Sequence, residues 1–320
     1  MSTLRIVNNL GALYRAQGKL DQAEQMYEQA LAGFEKVLGA EHMSTLSIVN
    51  NLGALYRAQG KLDQAEQMYE QALAGFEKVL GAEHMSTLSI VNNLGALYRA
   101  QGKLDQAEQM YEQALAGFEK VLGADHMSTL SIVNNLGNLY RDQGKMDQAA
   151  RMYEQALVGF EKVLGADHTL TLDTINNLGV LYQDQGKLTQ AEPMHQRTLA
   201  GFEKVLGADH MSTLRIVNNL GHLYRDQGKL DQAAQMYEQA LAGFEKVLGA
   251  DHMSTLSIVN NLGVLYRAQG ELDQAEQMYK RALAGFEKAL GADHMLTLRT
   301  AGNLGNLYRD QGKMDQAAQM

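Results

Sequence analysis

The 320-residue sequence has no cysteine, no tryptophan and one proline, Pro193, and it is short of basic residues, with 28 Lys and Arg against 37 Asp and Glu. Without cysteine, disulfides and thiol chemistry are excluded. The net charge of −9 argues against a general nucleic-acid binder, which needs a basic face to neutralise phosphates. No apolar run approaches the roughly 18 residues of a membrane-spanning helix, and the N-terminus lacks a signal-peptide pattern, so a cytoplasmic chain with no membrane partner is expected. Alternating strand patterns bounded by hairpin turns are also missing, which predicts an all-α chain. What is plentiful is apolar character, 45% of residues. A single globular core stops growing beyond roughly 250 to 300 residues, whereas an array of units that each pack on their neighbours escapes that limit.

Such an array is written into the sequence. Sliding the chain on itself gives a period of 42, the signature of a repeat architecture. The repeats are 1–42, 43–84, 85–126, 127–168, 169–210, 211–252, 253–294 and 295–320, the last truncated, and they read as one solenoid domain over 1–320, an excerpt of a longer array. Near-identity of the units fits recent duplication and deliberate consensus construction equally.

Each unit reads as two helices. Leu4, Val7, Leu10, Gly11 and Tyr14 recur at helical spacing, as do Leu20, Ala23, Tyr27, Ala30, Leu31, Phe34 and Leu38. Gly18 is placed to take the left-handed conformation that ends the first helix, and Asp21 followed by Glu24 suggests a capping box for the second. On the first helix Ile6 and Leu13 add another apolar stripe. Only a window of Arg5, Asn8, Ala12, Arg15 and Ala16 lacks large apolar groups. The second helix has one apolar face and an opposite face of Gln22, Glu24, Gln25, Glu28, Gln29, Glu35 and Lys36. The first helix is therefore expected inside and the second outside, with the window on the concave side of a curved solenoid.

The segment NNLGALYRAQGKLDQAEQMYEQAL followed by EKVLGAEH resembles the 42-residue tetratricopeptide repeats of kinesin light chains and of fungal receptor-like proteins that join such repeats to a nucleotide-binding domain. The spacing of Leu10, Gly11, Tyr14, Gly18, Ala23, Tyr27 and Ala30 carries the likeness in every unit up to the truncation. Met43 and its copies, and Thr169 in the fifth unit, stand where such relatives have proline after the Asp-His pair. No heptad segment and no GxxxxGK[ST] phosphate loop occurs. The resemblance implies a right-handed superhelix whose inner window lines a ligand groove.

Three positions of that window vary between units. The first gives Arg5, Ser47, Ser89, Ser131, Asp173, Arg215, Ser257 and Arg299; the second Ala12, Ala54, Ala96, Asn138, Val180, His222, Val264 and Asn306; the third Ala16, Ala58, Ala100, Asp142, Asp184, Asp226, Ala268 and Asp310. The outer face varies less, which favours partner reading over drift. The aspartates at the third position accompany loss of an outer-helix acid, as in Asp142 with Ala150 and Asp226 with Ala234, and conservation of local charge accounts for that pairing without a ligand.

Two constant ladders share the window. Asn8, Asn50, Asn92, Asn134, Asn176, Asn218 and Asn260 offer amides that can grip a peptide backbone. Arg15, Arg57, Arg99, Arg141, Arg225, Arg267 and Arg309 offer guanidiniums that can hold carboxylates, interrupted by Gln183. The competing reading is internal: amides bonded within the solenoid, arginines paired with aspartates of a neighbouring unit. Arg141 and Arg225, flanking Gln183, are the first choice for gripping acidic side chains.

The remaining candidates are weaker. The histidines His42 to His294, one per unit, lie on stacked units about 8 to 10 Å apart or more, too far to share a metal held at about 2 Å, and read as turn residues. The methionines read as core gap-fillers. No Ser-His-Asp set is suggested, and no metal or cofactor is expected. Unit five is irregular, with Asp173, Gln183, Thr189, His195, Thr198 and Pro193, the proline expected near the first turn of its outer helix. The sequence thus reads as a non-enzymatic scaffold for a protein or peptide ligand, acidic segments included, with head-to-tail self-association through uncapped ends, or a sensor arm of a fungal immune-type receptor, as the alternatives.

Overall fold

The structure is a computed structural model that describes residues 2–319. Among the described residues there are sixteen helices and no strand. They run α1 (Ser2–Ala16), α2 (Leu20–Leu38), α3 (Met43–Ala58), α4 (Leu62–Leu80), α5 (Met85–Ala100), α6 (Leu104–Leu122), α7 (Met127–Asp142), α8 (Met146–Leu164), α9 (Thr169–Asp184), α10 (Leu188–Leu206), α11 (Met211–Asp226), α12 (Leu230–Leu248), α13 (Met253–Gln269), α14 (Leu272–Leu290), α15 (Met295–Asp310) and α16 (Met314–Ala317). The fold is an all-α solenoid of tandem helix-turn-helix pairs. Its contacts gather into two compact units, residues 1–163 and 164–320.

In the first unit each odd-numbered helix packs on the even one after it, each even helix packs on the next odd one, and successive odd helices touch. The odd helices are buried on most sides. Along α3 both apolar stripes are sealed, and Ile48 and Leu55 are 2% and 0% exposed. Ile6 and Leu13, the same positions of α1, have no described helix before them and remain 65% and 51% exposed. Each such side chain is worth about 1.5 to 3 kcal/mol when fully buried, so the stacking of repeats, more than helix propensity, holds the array together. The even helices bury one face only, in α4 Ala65, Tyr69, Ala72 and Phe76. Gly53 lets the paired helices approach closely, since a Cβ there would lie 2.8 Å from the Tyr69 ring.

The turn within a repeat closes as its glycine predicts. Gly60 has φ +76°, and Lys61 N–H donates to the Tyr56 carbonyl at 2.9 Å, a Schellman-type stop. The expected capping box does not form. Asp63 and Glu66, the copies of Asp21 and Glu24, follow an N-cap taken by Lys61, which offers no side-chain cap, and this places the acids inside the helix rather than at its mouth. Glu66 instead accepts from Gln101 Nε2 at 2.8 Å and from Lys103 Nζ at 3.0 Å in the next repeat. The histidines are turn residues that cap the helix they precede. His42 is the N-cap of α3, its Nδ1 accepting from Ser44 N–H at 3.1 Å. Thr45 donates to the Gly39 carbonyl at 2.8 Å and ties that turn to the preceding helix end.

The second unit repeats this plan around a cluster that includes Leu214, Val217, Leu220, Tyr237, Phe244, Ile258 and Leu262. Its irregularities lie in α9 and α10. Pro193 is not in the first turn but is the sixth residue of α10, and the helix runs unbroken from Leu188 to Leu206. A proline at that depth forfeits one backbone hydrogen bond. His195 stands where the other repeats have a buried tyrosine; it is fully buried, neither ring nitrogen has a partner, and burial lowers its pKa to about 4. Thr198, equally buried, turns its hydroxyl to the Met194 carbonyl at 2.9 Å. No helix among the described residues is long and apolar enough to cross a membrane.

Candidate functional site

In the odd helices with a repeat on either side, the window expected from the sequence is the part that solvent reaches. Along α5, Ser89 and Ala100 are exposed and Asn92, Ala96 and Arg99 half-buried, while Leu88, Ile90, Val91, Leu94, Leu97 and Tyr98 are buried. This follows from the helix period, which returns positions 1, 4, 8, 11 and 12 of such a segment to one face.

The asparagine ladder is partly occupied from within. The second asparagine of an NN pair donates to the first asparagine of the preceding repeat, Asn51 to Asn8 at 3.2 Å, Asn93 to Asn50 at 3.0 Å, Asn135 to Asn92 at 3.1 Å and Asn219 to Asn176 at 3.0 Å, and Asn303, which follows Gly302 in the eighth repeat, donates to Asn260 at 3.3 Å. Sequence reasoning singles out one asparagine per repeat and misses its neighbour, although the doubled NN is an available signal. The Oδ1 atoms are therefore spoken for, while Nδ2 of Asn8, Asn50 and Asn92 has no protein partner among the described residues. Asn134 also has a partner. Asn176 and Asn260 are 7% and 4% exposed, and these are the two repeats with valine, Val180 and Val264, one turn later on the same face.

The arginine ladder divides sharply. Arg99 Nε meets Asp142 of the next repeat at 2.5 Å and Arg267 Nε meets Asp310 at 2.6 Å. Asp226 accepts from Gln183 at 2.5 Å and from Arg225 beside it at 2.9 Å. Arg141 and Asp184 have partners as well. Arg15 and Arg57, which face Ala58 and Ala100, form no ion pair among the described residues. Arg309 donates to Asn306 in its own helix.

The second variable position serves its own repeat. Asn138 accepts from the Tyr153 hydroxyl at 2.9 Å. His222 meets the Tyr237 hydroxyl through Nδ1 at 2.8 Å, with the two rings edge-on at 5.3 Å, and its Nε2 lies 3.3 Å from Asn261 Nδ2. Desolvation lowers the His222 pKa to about 4, which keeps the ring neutral between these two groups. Asn261, shared in this way, reaches Asn218 only at 3.5 Å. In the fifth repeat valine, Val180, accompanies the loss of the tyrosine to His195.

At the first variable position Ser47, Ser89 and Ser131 turn their hydroxyls back to their own helix, and Arg215 pairs with Asp173 at 3.0 Å. Where arginine precedes serine, an equivalent cleft opens twice. Arg5, Asn8, Asn9, Phe34, Ser44, Ser47 and Ile48 line about 230 Å³ between α1 and α3. Met211, Ser212, Arg215, Asn218, Phe244, Ser254, Ser257, Ile258 and Asn261 line about 440 Å³ between α11 and α13. Both combine a phenylalanine and an isoleucine with serine, asparagine and arginine side chains. On the even helices, by contrast, Glu24, Glu66, Glu108 and Glu192 are engaged in clasps between repeats: the Gln101 hydrogen bond, followed by Lys103, holds Glu66 below the usual carboxylate range.

A family model described as tetratricopeptide repeat matches residues 2–78, 47–120, 86–162, 128–204, 170–246, 213–288 and 254–320. No curated protein matches the sequence. Among solved structures, the nearly identical TPR-like repeats of a Podosopora anserina protein assigned as a kinesin light chain are 29% identical, with a TM-score of 0.54 over 64% of this chain and 96% of that one. BtubC (BKLC) from P. vanneervenii is 24% identical, with a TM-score of 0.60 over 74% and 93%. The signal transduction ATPase PH0952 of Pyrococcus horikoshii, which has a tetratricopeptide repeat sensor, is 15% identical with a TM-score of 0.67 over 97% of this chain and 45% of that one. By its period of 42, its helix pairs and its Gly-Tyr contacts, and by the family match, the chain belongs to the tetratricopeptide repeat family.

Proposed function

We propose that this chain is a non-enzymatic scaffold that holds an extended segment of a partner protein along the window of its odd-numbered helices. The reading rests on one observation above the rest. In the first three repeats, hydrogen-bond donors without protein partners among the described residues, the Nδ2 groups of Asn8, Asn50 and Asn92 and the guanidiniums of Arg15 and Arg57, share one window of the odd helices, which in α3 and α5 is the solvent-reached strip of otherwise buried helices. Amides of this kind grip backbone, and guanidiniums grip carboxylates. The preference for Arg141 and Arg225 moves accordingly to Arg15 and Arg57, because the former pair is engaged within the chain. On the even helices Glu24, Glu66 and Glu108 are, by contrast, already spent on lysines of the next repeat.

Selection from a displayed peptide library tests this. Binders are expected to lose affinity on Arg15→Ala with Arg57→Ala, each charge-assisted contact contributing about 1.5 to 3 kcal/mol if desolvated and much less if it stays wet. Replacing outer-helix Glu28 and Glu70 by Ala is expected to change little. Equal losses from the two pairs, with the helical signal intact, would place the binding surface elsewhere.

A further inference from the structure

We propose that the alanine-or-aspartate position near the end of each odd helix decides whether the arginine of the preceding repeat is open to a partner's carboxylate, the aspartate acting as a built-in competitor. The inference rests on the groove reading above and assigns to it a class of ligand, a carboxylate-bearing segment, and a set of specificity-determining residues, Ala58, Ala100, Asp142, Asp226 and Asp310.

Arg99 with Asp142 and Arg267 with Asp310 share one geometry. Asp142 lies 43 residues after Arg99, and Asp310 43 after Arg267; both pairs close through the arginine Nε at 2.5 and 2.6 Å. Gln183 and Asp226 show that the backbone, and not the guanidinium, sets this meeting, because glutamine in the arginine's place still reaches the same aspartate at 2.5 Å. Arg225 supplies the converse. The position ahead of it is Ala268, and it turns back to Asp226 at 2.9 Å instead. Where the facing position is alanine and no adjacent acid exists, at Arg15 with Ala58 and Arg57 with Ala100, the guanidinium makes no ion pair among the described residues.

An incoming carboxylate meets two different surfaces as a result. Over the first two repeats it finds two guanidiniums on neighbouring helices. Packed helices lie about 8 to 10 Å apart, so carboxylates about three residues apart in an extended chain, at about 3.3 Å per residue, reach both. At Arg99 and Arg267 it finds guanidiniums whose Nε is taken and an acid that repels it. Arg15 and Arg57 are thus left open where Arg99 and Arg267, chemically identical to them, are masked.

The test uses the full chain and a fluorescein-labelled peptide of eight glutamates, with eight glutamines as control, in anisotropy titrations at low ionic strength. Ala58→Asp with Ala100→Asp is expected to weaken octaglutamate binding about tenfold or more. Ala58→Asn with Ala100→Asn, equal in shape but neutral, should stay within about twofold, as should Gln29→Glu with Gln71→Glu, which adds the same charge on the outer helices. Asp142→Ala, which unmasks Arg99, is expected to tighten binding severalfold, more than the charge-matched Asp147→Ala. If Arg15→Ala with Arg57→Ala abolishes binding while the Ala→Asp pair leaves it unchanged, the competitor role is overturned and the groove reading stands. If octaglutamate binds no better than octaglutamine, or the arginine pair is without effect, the acidic-ligand groove itself fails and the competitor role with it.

Discussion

Residues 1–163 and residues 164–320 have the same helix plan but treat the same positions differently. The first three repeats of the former carry alanine at the second and third variable positions, and Arg15, Arg57 and the Nδ2 groups of Asn8, Asn50 and Asn92 in their window have no protein partner among the described residues, whereas Arg99 is met by Asp142. The latter places His222, Asp226, Asp173 and Asp310 at window positions, and every one of them is taken up by a group of the chain itself, Tyr237, Gln183 and Arg225, Arg215, and Arg267 respectively. Variation in a repeat array is therefore not by itself a sign of partner reading. A substituted side chain first seeks the nearest unmet donor or acceptor, and in a stacked helix array that group lies in its own repeat or an adjacent one.

The contrast extends to titratable groups, and acid should expose it most strongly. His195 and His222 lie in the second unit with folded pKa values of about 4, against an ordinary 6.5. A histidine whose folded pKa is depressed binds protons more readily when unfolded, so its contribution to stability is complete above pH 6.5 and is lost as the pH falls from there towards 4. For His195 the loss is on the order of 3 kcal/mol. The clasp carboxylates Glu24, Glu66 and Glu108 of the first unit, held below 4.5, withdraw stability only at more acidic pH. Hydrogen exchange between pH 6.5 and 4.5 should show residues 164–320 opening before 1–163, and His195→Tyr should remove most of the difference. Simultaneous opening of the two units, unaltered by His195→Tyr, would contradict the account.

A smaller difference is expected at the close approach of paired helices. An alanine at Gly53 puts its Cβ 2.8 Å from the Tyr69 ring, whereas at Gly179 the nearest atoms, of Met194 and His195, lie at 3.0 and 3.1 Å. Gly53→Ala should destabilise by about 1 to 3 kcal/mol through overpacking, partly offset by the better helix propensity of alanine. Gly179→Ala should cost less, because the imidazole leaves more room than the phenol. Denaturant midpoints of the two variants decide the order, and a larger cost at Gly179 would refute this view of His195.

The smallest effect concerns the clasp missing between the sixth and seventh repeats, although Glu192 and Glu276 form it elsewhere in the second unit. Ala234 stands where Glu66 and Glu108 bind the lysine of the following repeat, and that lysine is itself replaced by Glu271. Ala234→Glu together with Glu271→Lys should install the missing pair and stabilise by less than about 1 kcal/mol, the range for partly exposed ion pairs. Each single change should do less than the double, and a double-mutant cycle on melting temperature measures the coupling.

The period of 42, the helix pairs, the buried stripes and the exposed window are all legible in the sequence, because they depend on helical periodicity and on glycine at fixed intervals. The capping box is not, because Asp21 and Glu24 have the right spacing but sit beyond an N-cap that only the turn geometry locates. Pro193 is displaced from its expected place by the same few residues. The roles of Glu24, of the second asparagine and of the histidine caps stay hidden for another reason. Their partners lie 35, 43 or 2 residues away, and only the first helix of the next repeat, or the turn before it, brings them into reach.

By itself, then, the sequence determined what repeats and which face of each helix meets water, since apolar spacing and conformational freedom act locally along the chain. Only the tertiary structure decided which of the identical arginines and asparagines remain open. An ion pair or amide bond forms or fails according to what the neighbouring rung places about 3 Å away, and that distance is set by how the helices stack.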